Sequence, residues 1–244
     1  MILKYDLEKL KFAIDSQTFN KAVGLYDKGR IKQFKSLDGG YSAVVLGSSP
    51  YQVFVSNLSF DVGSCTCYLG VSNTLCKHIV AIAIFAVKNG EELTIKDKIQ
   101  HNDLIFSGQK GILTNIQVLK FKKSVSEDFN YIKPYQGPSK IWVTYQNLLE
   151  EGCNRLSALL SSLPASEQTT ELIIDLLLQL DKKLSHGGVD DSNGTVGEFI
   201  EKAVKVLIEF TKVDPKCRRR FKKFREVKTS FGWEEQLLQN ETKP

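Results

Sequence analysis

The chain lacks a long apolar run. Its longest uninterrupted apolar stretch, Ile79–Val87, has nine residues, against the ~20 that a bilayer-spanning helix needs. The N-terminal MILKYDLEKLKF carries charges where a secretory signal requires an apolar segment. It also lacks a G-x-x-x-x-G-K-[ST] phosphate loop, so an ATPase activity would have to come from a separate partner. Histidine is scarce, with three in 244 residues, and no acid/base or nucleophile constellation stands out. Cysteines are few and odd in number, five in all, and three of them lie within twelve positions. That distribution speaks against a secreted disulfide scaffold and for metal binding in a reducing compartment. The expectation is a soluble, cytoplasmic protein without enzymatic activity.

What is present is enough for a core. Apolar residues make up 42% of the chain, too many for a disordered protein. The net charge of +5 permits contact with nucleic acid without requiring it. The length suits one large domain or two small ones.

Turn signals divide the first hundred residues. Residues 16–28 read as a helix with Ser16 at its N-cap and Gly29 as its stop. Strand-like runs follow at Ile31–Phe34, Tyr41–Leu46 and Tyr51–Ser56, split by Asp38-Gly39-Gly40 and Gly47-Ser48-Ser49-Pro50. The alternation of Tyr41, Ala43 and Val45, and of Tyr51, Val53 and Val55, predicts half-buried antiparallel strands. A further strand is expected at Phe60–Ser64, and a helix over 77–88, apolar all round and buried between the two halves of the chain.

Residues 101–140 read as a connecting segment, with a Lys120-Phe121-Lys122-Lys123 cluster that could serve nucleic acid or an ordinary amphipathic element. From Ile141 the period is helical: 141–162, 167–185, 196–213, 215–227 and a short 232–240. The fold class expected is therefore α+β: a small β-rich domain over 1–100, the connecting segment, and an all-α domain of stacked helical hairpins over 141–244. Trp142, Tyr145 and Trp233 are expected as core anchors. Asp190, Asp191 and Asn193 beside Gly194 do not fit a calcium loop, because the first and twelfth positions would be Val189 and Ile200. They read instead as an N-cap region for 196–213, with Thr195 and Glu198 or Asn193 and Thr195 as the capping pair.

Cys65, Cys67, Cys76 and His78 form a C-x-C-x8-C-x-H pattern. Zinc favours four thiolate and imidazole ligands in a tetrahedron, and such a set leaves no open position for a reacting water. Cys65 and Cys67 flank one residue, so an extended backbone puts both thiols on one side. Residues two apart on a helix diverge by about 200°, so Cys76 must lie outside the helix that carries His78. The dipole of that helix would favour nearby thiolates. A Cys–His nucleophile pair is the enzymatic alternative and leaves two cysteines without a role.

The segment from about Phe19 to Val87 resembles the SWIM-type zinc finger. The residues that carry the likeness are Tyr26-Asp27-Lys28-Gly29-Arg30-Ile31, Ala43-Val44-Val45-Leu46-Gly47-Ser48 before Tyr51-Gln52-Val53, and Ser64-Cys65-Thr66-Cys67 with Cys76-Lys77-His78-Ile79-Val80-Ala81. Ile132-Lys133-Pro134-Tyr135, Gly188–Thr195 and Phe231-Gly232-Trp233-Glu234-Glu235 are similar to bacterial stand-alone proteins of that type. The resemblance implies Zn2+ held by Cys65, Cys67, Cys76 and His78. It also implies a module that binds DNA or protein, working beside a helicase-like ATPase or a recombination factor. Two functions follow as expectations. One is a zinc-held interaction module that recruits a protein partner in a DNA-linked process. The other is a direct nucleic-acid binder using the stretch from Lys216 to Lys228, which holds eight basic residues and one acid. There Cys217, Phe221 and Phe224 would dock on the body, leaving Arg218, Arg219, Arg220, Lys222, Lys223 and Arg225 for phosphates.

Overall fold

The computed structural model describes residues 3–100 and 103–241, which divide into two compact units with their boundary after Gln100. The fold is α+β: the sheet lies wholly in the first unit, and helices make up the second.

The first unit opens with α1 (Leu7–Ala13), capped by the Asp6 carboxylate, and α2 (Ser16–Asp27). The cap of α2 is Asp15, one residue earlier than the expected Ser16; its carboxylate accepts from Thr18 N at 2.9 Å. The helix ends at Asp27 with Lys28 as its C-cap, and Gly29 follows with a left-handed φ of +58°, which costs glycine little. The sheet is an antiparallel meander in the order β1 (Ile31–Leu37), β2 (Gly40–Leu46), β3 (Pro50–Ser56) and β4 (Gly63–Cys65). Ala43 pairs with Val53, and both are buried, as are Val45 and Val55. This is the expected alternation. A bulge at Gln33, φ +52°, puts two residues of β1 opposite Ala43.

The fourth strand is shorter and later than expected, because residues 57–62 turn and Phe60 leaves the strand to pack edge-on against Tyr5. A single helical turn, α3 (Tyr68–Val71), follows, then α4 (Lys77–Lys88) and α5 (Ile95–Lys98). Residues 78–84 of α4 are all buried. Within the unit their cover comes from α1, α2 and the sheet.

The second unit contains α6 (Asn115–Asp128), α7 (Trp142–Ser161), α8 (Glu167–Ser185), α9 (Thr195–Val213), a 3-10 helix (Pro215–Arg225) and α10 (Glu234–Glu241). Residues 101–140, expected as a connecting segment, carry α6, closed at its start by a Thr114–Gln117 capping box. Phe121, Val125 and Ile132 from this stretch are part of the second core. The hairpins expected of the helices take the form of a bundle around α9, which packs against α7, α8, α10 and the 3-10 helix. Phe210 of α9 and Phe221 of the 3-10 helix are fully buried. Tyr145 and Trp233 are buried as expected, whereas Trp142 is half-buried and donates from Nε1 to Asp190 at 3.0 Å. Neither proposed pair caps α9: the Asp191 carboxylate does, accepting from Val196 N and Gly197 N at 2.8 Å each. No helix among the described residues is long and apolar enough to cross a membrane.

Candidate metal centre

Three short elements bring the four ligand candidates together. β4 ends on Cys65, held opposite Val53 by the ladder. Cys67 is the N-cap of α3, with φ −78° and ψ 165°. Cys76 is the N-cap of α4, with extended φ −123° and ψ 158°, so it stands outside the helix. His78 falls in the first turn of α4. The loop expected over 68–75 thus contains the turn α3, which reverses the chain between the two ligand pairs.

The ligand atoms all lie within 4.8 Å of one another, and the four side chains are buried. His78 Nδ1 is 3.7 Å from Cys65 Sγ and 3.9 Å from Cys76 Sγ. A tetrahedron with metal–ligand bonds of about 2.0–2.3 Å has edges of about 3.3–3.8 Å; the 3.7 Å separation lies within that range and the 3.9 Å one just above it, which is compatible with a metal ion. Backbone N–H groups also reach the sulfurs. Cys67 N donates to Cys65 Sγ and Gly70 N to Cys67 Sγ, both at 3.4 Å. Tyr51 stacks on the His78 ring with centroids 4.5 Å apart. His78 Nε2 is buried with no hydrogen-bond partner among the described residues.

The electrostatics describe a pocket in want of a cation. Burial pushes the Cys65 and Cys76 thiols up, against the N–H groups directed at them. At Cys76 burial therefore outweighs the lowering expected from the helix end. Burial also acts on Cys67, but the Gly70 N–H, the neighbouring thiols and the Leu69 N–H bring it below the ordinary thiol range. His78 is held neutral down to about 4, chiefly by burial and then by the Lys77 charge. A neutral imidazole and clustered sulfurs away from water make a donor set suited to a soft or borderline divalent ion. The four residues are positioned to hold a metal ion, and the set is compatible with zinc.

Two residues that support the site carry no ligand chemistry of their own. A Cβ on Gly70 would come within 2.3 Å of the Cys65 carbonyl oxygen, so only glycine lets α3 close on β4. Tyr51 owes its place to the pairing of β2 with β3. A glycine three residues after the second cysteine is the one sequence signal that could have pointed to Gly70.

The basic residues expected for nucleic acid lie in the other unit. Cys217, Phe221 and Phe224 are buried as the docking face. Most of the cations face acids. Arg219 and Arg220 meet Glu167 at 3.5 and 3.3 Å, and Arg220 meets Glu171 at 3.1 Å. Lys223 meets Asp175 at 2.7 Å, and Arg225 forms a two-pronged pair with Glu241 at 2.6 and 3.0 Å. Arg218 is half-buried and Lys222 is exposed. Of the Lys120–Lys123 cluster, Phe121 is buried and Lys123 faces Glu127 at 3.8 Å.

An α+β unit closed around a thiolate–imidazole cluster is the class of protein that these observations define. Comparison of the chain with protein-family models, with curated proteins and with solved structures returns no match.

Proposed function

We propose that the chain is a zinc-held interaction module of SWIM-like type, in which the first unit is stabilised by zinc and the two units offer surfaces to a protein partner in a DNA-linked process. The observation that carries this reading is the closed set of four buried donors, Cys65, Cys67, Cys76 and His78. Four such ligands leave a metal no position for substrate, so its chemistry here is to cross-link the fold. The reading assigns no catalytic residue. A cytoplasmic setting agrees with the reduced thiols it needs.

Exposed apolar side chains support the recruitment part. Leu58 and Val62 before β4, and Tyr68, Leu69 and Val71 after it, all face solvent; Tyr68 is 86% exposed. In the second unit Ile112, Ile116 and Leu119 are exposed too. Clustered apolar groups on a surface mark contact sites for other proteins. The ion pairs along 215–225 weigh against the rival use of that helix for phosphates, since each acid would have to be displaced first.

Elemental mass spectrometry of protein purified without added metal tests the metal. One zinc per chain is expected, and none in Cys76→Ala; another metal, or none in the parent, would refute the zinc assignment. Affinity purification from the native host, with and without nuclease, tests recruitment. A partner set that survives nuclease and is lost with Tyr68→Ala/Val71→Ala is expected.

A further inference from the structure

One group of cations in the first unit differs from those of the 3-10 helix in that no acid pairs with it, whereas Lys88 and Lys98 elsewhere in the unit meet Asp97 and Asp27. A depression of about 360 Å3 is lined by Lys21, Gly24, Leu25 and Lys28 from α2 and its end, Arg30, Leu46 and Gly47 from the entrance and exit of the β1–β2 pair, and Lys77 from the start of α4. Four of these residues are cations and none is an acid. Among the described residues, none of the four takes part in an ion pair or a side-chain hydrogen bond. The acid next to Lys28, Asp27, is engaged by Lys98 at 2.7 Å. Four positive charges gathered around one depression repel one another, and no acidic side chain lines it.

The charge continues along the sheet. Lys32 lies opposite Val44 and Lys35 opposite Ser42, while the buried Ala43 and Val45 mark the other face. Leu46 N donates to Arg30 O, which puts Arg30 in line with Leu46. Lys35 shares the outer face only because the bulge at Gln33 adds a residue; strict alternation after Lys32 would send it inward. The bulge therefore aligns Arg30, Lys32 and Lys35 in a row. From the register, the row spans four residue steps of β2, about 13 Å. Lys32 and Lys35 are likewise without ion-pair partners among the described residues.

We propose that this depression and the row leading from it bind the phosphate backbone of a nucleic acid, the depression seating one phosphate and the row tracking its neighbours. A single small anion would need only the depression; a linear polyanion uses the row as well. The site stands on charge and register in the first unit and does not depend on the recruitment of a protein partner. It also differs from the 215–225 helix in residues and in unit.

The test is fluorescence anisotropy of the full chain with a labelled 30-nucleotide single strand and the matching duplex, over a series of salt concentrations. The parent should bind, with log affinity falling steeply against log salt. Lys21→Gln/Lys28→Gln/Arg30→Gln should lower that slope by about 0.7–0.9 for each cation removed, roughly two to three in all. Zinc content and circular dichroism of this variant should match the parent, which excludes misfolding. Lys77 is left alone because it stands between two ligand residues. Arg219→Gln/Lys223→Gln should keep the parent slope. The proposal is overturned if the parent binds neither probe at 50 mM salt, if the triple variant keeps the parent slope, or if only the second variant loses it. It is also overturned if the triple variant loses binding to phosphatidylglycerol vesicles while neither nucleic acid binds the parent.

Discussion

Two stretches of twenty residues, 57–76 and α7, solve the problem of ordering a chain in different ways. In α7 nine residues are buried, with Leu149 and Leu156 fully so. In 57–76 the buried residues are Phe60 and the three cysteines. Fixing a residue's backbone costs about 1–2 kcal/mol. A helix with a broad apolar face offsets that cost by hydrophobic burial and its own hydrogen bonds. A stretch whose buried side chains are mostly thiols does not, but its cysteines and His78 are positioned to hold a metal ion, which would supply the anchor. The first unit thus adds to its core a donor set positioned for an ion, whereas the second rests on its core.

Breaking the metal anchor should have the largest effect. Ion binding at such sites is worth about 10–16 kcal/mol in apparent free energy. Cys76→Ala should therefore expose residues 50–90 to protease while the helices after Ile141 keep their circular dichroism. Protection of 50–90 in this variant would erase the contrast between the two stretches. Acid should act in the same direction, because protons compete with the ion for the thiolates.

Core substitutions should show the reverse dependence. Phe210→Ala, at a fully buried position of α9, should cost the second unit about 3–5 kcal/mol. Metal content should be unchanged, as read by elemental mass spectrometry beside a denaturant titration. A smaller loss is expected at Asp181, whose buried carboxylate accepts from Trp233 Nε1 at 3.0 Å and from Ser230 N at 3.0 and 3.1 Å. Asp181→Ala leaves those donors unmatched, for about 1–3 kcal/mol. The smallest should be Asp191→Ala, which uncaps α9 for about 0.5–2 kcal/mol and should appear as faster amide exchange in its first turn.

These positions show how unevenly the sequence could be read. The four ligand candidates were legible because spacing and residue type are local. The strands β2 and β3 were legible because alternation is local too. The shorter β4 was not, because Phe60 turns away to meet Tyr5, a contact 55 positions removed in sequence. The helix α6 was missed because its apolar content is thin; only Phe121 and Val125 in it are buried. The cap of α9 was placed two to four residues late, because Asp191 reaches past Gly194 to Val196 and Gly197. The role of Gly70 rests on a close approach to Cys65 that no local rule contains.

For function the division is sharper still. Sequence by itself determined the donor set and the helical period, since both depend on residue type and spacing along the chain. Tertiary structure decided what the charges do. The cations of 215–225 and those of α2, β1 and α4 are alike in type, and the former are the denser in sequence. Folding places Glu167, Glu171, Asp175 and Glu241 against the first group and, among the described residues, leaves Lys21, Lys28, Arg30, Lys32, Lys35 and Lys77 of the second without an ion pair. The field around a cation depends on what lies within a few ångströms of it, and that neighbourhood is assembled from distant parts of the chain.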